Sequence, residues 1–295
     1  MENFSRYFII SEYDEQWGLY ITTCGSSNVG EGMNFPAGDH PAHHSLNWER
    51  GRVLSEYHLF YLTKGDGVLE TRESGVTHFS AGTAVMLFPE TWHRYKPLPK
   101  SEWQAYWVGF RGRIAEHLLT RLGVSRQQPL LSVGQQVPLI HCFMEMIETS
   151  RAEFTGYQQV LAGEVTKLLG WLHAIQRRDS FSDSNIDQLM QRAKLLILNS
   201  SHKTSIESVA ETLHMSYSKF RKVFCEYTGM PPRQYQLQLR IQKAILLLQD
   251  EHRPIKEIAL ETGFESPYYF SRFFKKKTGY SPRAYRQQLW DRRKA

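Results

Sequence analysis

The sequence predicts an α+β protein of two domains: an N-terminal β-barrel carrying a helical hairpin, and an all-helical C-terminal domain built from two helix-turn-helix units. Three observations carry this. The hydrophobic period changes from two to helical just after Gly112. A helix-turn-helix pattern then occurs twice, about fifty residues apart. Finally, charge is divided unevenly: from Asp187 onward 20 Lys and Arg face 10 Asp and Glu, a net +10, whereas residues 1–186 carry 16 against 20, a net −4. A basic domain joined to a mildly acidic one predicts a polyanionic partner for the former alone.

Length and composition bound the classes. A chain of 295 residues suits about two domains, and 41% hydrophobic with 13% aromatic residues fits a folded chain rather than a disordered one. The sequence holds no apolar run of spanning length, and its first residues do not read as a secretory signal, so a cytoplasmic, nucleoid-associated location without a membrane partner is expected. Three widely separated cysteines, Cys24, Cys142 and Cys225, form no CxxC pair and predict reduced thiols.

Taken in order, residues 1 to about 35 read as an arm with one or two short strands, and Pro36 to His44 as a loop. From Arg52 the period is two: Val53, Ser55, Tyr57, Leu59 and Tyr61 alternate with Leu54, Glu56, His58, Phe60 and Leu62. Gly65 and Gly67 predict a hairpin turn. Further short strands are punctuated by Gly82, Pro89 and Pro97, and WQAYWVGFRG closes the series with Trp103, Ala105 and Trp107 on one face. Many short strands with such turns predict a small sandwich or barrel. Helical periodicity then marks Ile114, Leu118, Leu119 and Leu122, next Ile140, Phe143, Met144 and Ile147, and then Leu161, Val165, Leu168, Leu172 and Ile175. The two longer helices predict a hairpin on the barrel, with stripes able to pair two copies in a homodimer. The domains are expected at 1–178 and 187–295, with 179–186 as a polar linker.

The helical domain opens with Leu189, Ala193, Leu196 and Ile197. Ser205 caps a helix with Ile206, Val209, Ala210 and Leu213; Phe220, Val223, Phe224 and Tyr227 stripe the next; Pro231 and Pro232 open a long one. The second unit repeats the plan: Ile255, Ile258 and Ala259, a turn at Gly263, then a cap at Ser266 and proline at Pro267. Phe270, Phe273, Phe274 and Lys277 share one face of its second helix, while Tyr268, Tyr269, Arg272 and Lys276 point away. Val209 and Ala210 match Ile258 and Ala259 at an offset of 49, and Phe220, Phe224, Gly229, Pro232, Arg233 and Tyr235 match their counterparts at 50. The extra residue falls in the turn.

GFESPYYFSRFFKKKTGYSPRAYR resembles the DNA-binding signature of the AraC/XylS family of bacterial transcription regulators, and GDGVLE, GTAVMLFPETWHRY and YWVGFRG are similar to its cupin-type, arabinose-type effector domain. The resemblance implies a transcription regulator, usually an activator, that binds operator DNA and a small effector and engages RNA polymerase. It places Ser218, Arg221 and Lys222 against DNA in the first unit, and Pro267, Tyr268, Tyr269 and Arg272 in the second. Arg221 and Arg272 suit bidentate bonding to guanine. Lys276, with Lys275 and Lys277, suits both the helix dipole and phosphate.

For the effector, the resemblance points to Arg50, Tyr95 and Trp107 against a sugar, with Ala105 standing where arabinose-type regulators have a histidine; Arg52 and His93 are further candidates. Arginine bonds plus a stacking ring suit a sugar, and Arg50 with Arg52 an acidic one. His40, His43, His44, His58 and His93 form no complete metal triad with a spaced glutamate, so no metal or other cofactor is expected. A cupin-type sugar enzyme would need such a triad or a nucleophile with its base. A constitutive DNA-binding protein whose barrel only dimerises would have that barrel filled by its own side chains.

Overall fold

The computed structural model describes residues 2–31, 33, 35, 36, 41, 44, 46–179, 185–199 and 205–294. Its chain divides into two units, Met1–Ser182 and Asp183–Ala295. The loop expected at Pro36 to His44 and most of the expected linker lie largely outside the described residues.

In the first unit the chain runs β1 (Phe4–Tyr7), α1 (Glu12–Gln16), β2 (Tyr20–Val29), β3 (Arg52–Val53), β4 (Tyr57–Lys64), β5 (Asp66–Thr71), β6 (Gly75–Ser80), β7 (Thr83–Leu87), β8 (Trp92–Pro97) and β9 (Trp103–Arg111). It continues through α2 (Arg113–Leu119), β10 (Leu130–Ser132), α3 (Val137–Ala152) and α4 (Tyr157–Asp179). The strands form two antiparallel sheets, ordered β1-β2-β9-β4-β7-β10 and β3-β8-β5-β6. Phe60, Leu62, Leu69, Phe79, Val85, Leu87 and Trp103 fill the space between them. The other face of the six-stranded sheet (Ile21, Leu59, Tyr61, Met86, Val108 and Phe110) packs with Leu139, Phe143, Leu161, Val165 and Leu168 of α3 and α4. That double burial explains why both alternating sets in β4 are largely apolar, with Leu59 to Leu62 all at most 2% exposed.

Three expectations need correction. Gly65 does not turn a hairpin: β4 pairs with β7 and β9, and β5 with β6 and β8, so the chain changes sheets there. The N-terminal stretch is not merely an arm, because β2 lies inside the larger sheet, paired with β1 and β9. Its polar composition hides the strand; Thr23 and Ser26 donate to the carbonyls of Arg6 and Glu2, both at 2.8 Å. In α3 the buried positions are Leu139, Cys142, Phe143 and Met146, while Met144 is 46% exposed. The run VPLIHCFMEMI holds two apolar stripes one residue apart, and tertiary packing selects between them.

The second unit is helical: α5 (Ile186–Leu198), α6 (Ile206–Thr212), α7 (Tyr217–Thr228), α8 (Pro232–Leu247), α9 (Ile255–Glu261), α10 (Pro267–Thr278) and α11 (Pro282–Lys294). The sequence repeat is a repeat of atomic detail. Ser216 and Ser266 each accept the backbone N–H three residues on, capping α7 and α10. Thr228 and Thr278 each bond back to the carbonyl four residues earlier, at 2.7 and 2.9 Å. Phe224 meets Tyr235 edge-on at 5.4 Å, and Phe274 meets Tyr285 at 5.4 Å. One helix, α8, joins the two: Tyr235 packs on the first unit's Phe224, while Ile241, Ala244 and Leu248 enter the core around Ile258, Phe270 and Phe274.

The turns differ in one respect. Gly263 turns the second unit at φ 84°, whereas His214 does so in the first at φ 54°. Met215 N–H reaches the Ala210 carbonyl at 3.0 Å, and Phe264 N–H reaches that of Ala259 at 3.0 Å. Both helices thus end in the same left-handed cap, one of them without glycine.

Candidate DNA interface and small-molecule pocket

Anchoring decides which faces of α7 and α10 remain free. Phe220 and Phe224 are buried at 0%, as are Phe270 and Phe274, so each helix is fixed on one side by a phenylalanine pair. Fully burying such a ring is worth about 1.5–3 kcal/mol. On the opposite side of α7, Ser218, Arg221 and Lys222 are exposed. On α10, Arg272 and Lys276 are exposed and Tyr268 is 76% exposed, too open for a core role. Pro267 is only partly exposed at the first position of the helix. Tyr269 is divided between two environments: it is 49% exposed, yet its ring lies 6.0 Å from Phe264 and 6.1 Å from Phe273.

Lys275, Lys276 and Lys277 occupy the last turn of α10, where they complement its dipole. Arg240, on α8, donates to the Gly263 carbonyl, and burial lowers its pKa. That bond ties the spacer helix to the turn before α10. Two further side chains, Tyr217 and Arg233, are exposed beside these faces; the second is visible in the repeat as the partner of Arg283.

The first unit contains a concavity of about 530 Å³ that includes open solvent, with enclosed room of about 40 Å³ for the centres of water-sized spheres. Arg52, Tyr95 and Trp107 line it, with Tyr7, Ser27, His44, His58 and Trp103. Arg52 sits opposite His93 in the β3–β8 ladder. Its guanidinium donates from Nε to His93 Nε2 at 3.1 Å, from Nη1 to the His44 carbonyl, and from Nη2 to the Tyr95 hydroxyl at 3.2 Å. Because arginine only donates, His93 Nε2 must accept, which puts the ring proton on Nδ1, 3.0 Å from the Thr91 carbonyl. His93 is therefore neutral. Burial, with Arg52 beside it, pushes its pKa down to about 3. It lies behind the pocket rather than in its lining, stacked 6.4 Å from Tyr95.

Arg50 is elsewhere. It is exposed, in a turn held by Asn47, and its carbonyl accepts from Trp92 Nε1 at 2.9 Å. The arginine in the pocket is Arg52. The Trp107 indole lies on Gly25, where a Cβ would come within 2.3 Å of the ring, so glycine there leaves room for the ring. Ser27 supplies a buried hydroxyl with no hydrogen-bond partner among the described residues. Tyr7 is pushed up to about 12 by burial and remains a neutral donor. Beside the pocket, Glu56 is raised by burial, and its Oε1 lies 3.8 Å from His58 Nδ1. A fixed guanidinium, neutral hydroxyls and aromatic faces can hold a small polar molecule in one orientation. His40 and His43 lie outside the described residues; among those described, no cluster of His, Cys, Asp and Glu is arranged to hold a metal ion. Nor is any helix among them long and apolar enough to cross a membrane.

A doubled helix-turn-helix with free polar faces, joined to a barrel with a pocket, defines the class of ligand-responsive DNA-binding regulators. Comparison with known proteins makes the class specific. Residues 42–197 match the model of the AraC-like ligand binding domain, and residues 209–288 that of a helix-turn-helix domain. The chain belongs to the AraC family of DNA-binding transcription regulators. It is 25% identical over 201 residues to the Msm operon regulatory protein of Streptococcus mutans, spanning 65% of this chain and 70% of that one. It is likewise 25% identical over 199 residues to the lactose operon transcription activator of Staphylococcus xylosus, spanning 65% and 70%. Among solved structures, the C-terminal domain of the response regulator yesN from Fusobacterium nucleatum is 33% identical, covering 35% of this chain and 99% of its own, with a TM-score of 0.32.

Proposed function

We propose that this regulator answers to a sugar bound in the first unit and reads its operator through α7 and α10, acting as an activator. The observation that carries the sugar is the combination of Arg52, Tyr95 and the free Ser27 hydroxyl with the Trp107 face in one pocket. Hydroxyl-rich rings offer hydrogen bonds at the edge and an apolar face for stacking. The operon names of the two relatives, msm and lactose, and the activator role of one support the same reading. Arg52 favours an oxidised, acidic sugar over a neutral one. A constitutive regulator remains the competing reading, and the polar groups that line the pocket weigh against it. Calorimetry of the full chain against a panel of pentoses, hexoses and uronic acids tests the proposal; no heat or thermal shift with any of them refutes the sugar effector.

On DNA, the assigned contacts are Ser218, Arg221, Lys222, Tyr268, Tyr269, Arg272 and Lys276, with Arg221 and Arg272 as base readers and Lys276 on phosphate. The functional boundaries proposed are an effector and dimerisation domain at 1–178, a linker at 179–186 and a DNA-binding domain at 187–295. A homodimer is proposed through α3, whose outer side carries Val137 at 62% exposure and Met144 at 46%, flanked by part-exposed Ile140 and Ile147. RNA polymerase is the partner that activation requires, and the cytoplasmic nucleoid is the place where it occurs.

A further inference from the structure

Between α7 and α10 runs a groove whose cations extend beyond the contacts already assigned. One part of it, about 950 Å³ with its open mouth, is lined by Arg221, Arg233, Lys276 and Lys277, together with Tyr217 and Gln234. Four cations line this space and no carboxylate does. Arg221, Arg233, Lys276 and Lys277 are all exposed, and no ion pair holds any of them among the described residues. The two glutamates of the neighbourhood, Glu207 and Glu265, line the adjoining part of the groove instead. Such a concentration of like charge raises the folding cost through self-repulsion, unless a polyanion occupies it.

The floor adds a second, independent feature. In α8 the residue before the helix is Pro231, and no side chain caps its first turn. At the matching position before α11 stands Ser281, whose hydroxyl accepts the Ala284 N–H at 3.2 Å. The first unit thus leaves without a side-chain cap the N–H of Gln234, whose counterpart at Ala284 the second closes with its own serine.

We infer that this groove seats the sugar–phosphate backbone of duplex DNA where it passes between the two half-sites, with Arg233 and Lys277 as phosphate contacts additional to the base-reading set. The inference rests on the reading that α7 and α10 enter successive major grooves. Between two such grooves on one face, a duplex presents a minor groove bordered by two phosphate strands. The surface between the recognition helices meets that backbone. Arg233 stands in the open first turn of α8, and Lys277 ends α10 with its Nζ 6.0 Å from the Phe273 ring. Neither belongs to the base-reading set, and both grip without reading.

The test uses the full chain, the duplex it prefers in site selection, and a random duplex of equal length. Affinity is measured against salt for the wild type, for Arg233→Ala/Lys277→Ala and for the milder Arg233→Gln/Lys277→Gln, with circular dichroism confirming the fold. Each lost phosphate contact removes about 0.9 from the salt slope, so both double variants are expected to lose about 1.8 on either duplex. Their affinity loss between about 50 and 200 mM salt then shrinks about twelvefold relative to wild type. The preferred sequence is expected to be unchanged, and one neutral methylphosphonate between the half-sites should weaken the wild type but not the double variants. Unchanged slopes, or a loss confined to the preferred duplex, overturn the inference. A wild type that binds both duplexes equally overturns base reading by α7 and α10, while the salt slopes still decide the groove.

Discussion

Acidification tests the pocket through a group that stands behind its lining. His93 is 0% exposed, accepts from Arg52 and faces the Thr91 carbonyl, so a second ring proton would collide electrostatically with the guanidinium. Its folded-state pKa is depressed from 6.5 to about 3. The unfolded chain therefore takes up a proton as the pH falls below about 6.5, and the folded chain does not until about 3. Stability contributed by neutral His93 is complete above the unfolded value and is lost progressively as the pH falls through that window. Between about pH 7 and about pH 5 the loss amounts to about 2 kcal/mol. Glu56, raised by burial, works in the opposite sense, because its protonation in the fold favours the folded chain as the pH drops. The comparison that isolates His93 is thus wild type against His93→Gln, which keeps an acceptor for Arg52 and cannot titrate. Six of the seven tryptophans lie in the first 182 residues, so indole fluorescence during urea unfolding follows that unit. The expected result is an acid loss about 2 kcal/mol steeper in the wild type. Equal pH dependence in the two proteins would refute a neutral His93 behind the pocket.

Other outcomes follow from the same contacts. Arg221→Ala should lower affinity for the preferred duplex by about 1–3 kcal/mol while barely changing affinity for random DNA, measured by fluorescence anisotropy. Gly263→Ala, at φ 84°, should cost the helical unit about 1–2 kcal/mol, whereas His214→Gly should leave it equal or slightly more stable; thermal melts followed by circular dichroism check both. Met144→Glu places a charge on the outer side of α3 and should shift light scattering from dimer to monomer; a wild type already monomeric, with and without DNA, would exclude that interface.

Much of the helical unit was legible because its chemistry is local. Ser216, Ser266, Gly229, Gly279 and the phenylalanine pairs each act within one turn or one helix, and each appears twice, so the repeat exposes them. The barrel was less legible for a physical reason. Strand partners are set by contacts distant in sequence, and nothing local at Gly65 distinguishes a hairpin from a change of sheet. Strand β2 is rich in Thr, Ser and Asn; Thr23 and Ser26 are buried there with backbone carbonyls of Arg6 and Glu2 as acceptors, and no periodicity reports that. Of the five ligand candidates named from the sequence, Arg52, Tyr95 and Trp107 line the pocket, and Arg50 and His93 do not. Ser27, Tyr7 and His44 were not among those candidates, because they come from the N-terminal strands and the loop that follows. Arg50 and Arg52 are two residues apart and chemically identical; only the β3–β8 ladder separates an exposed turn from the pocket wall.

Two linked helices that read one face of a duplex in tandem require two half-sites at a fixed spacing. The most direct measurement is selection of bound sites from a random pool, followed by changes in spacing within the selected site. Two short conserved blocks about 10–10.5 bp apart, with binding lost when about half a helical turn is inserted between them and recovered in part by a whole turn, is the predicted result. A single block, or binding indifferent to the insertion, would contradict it.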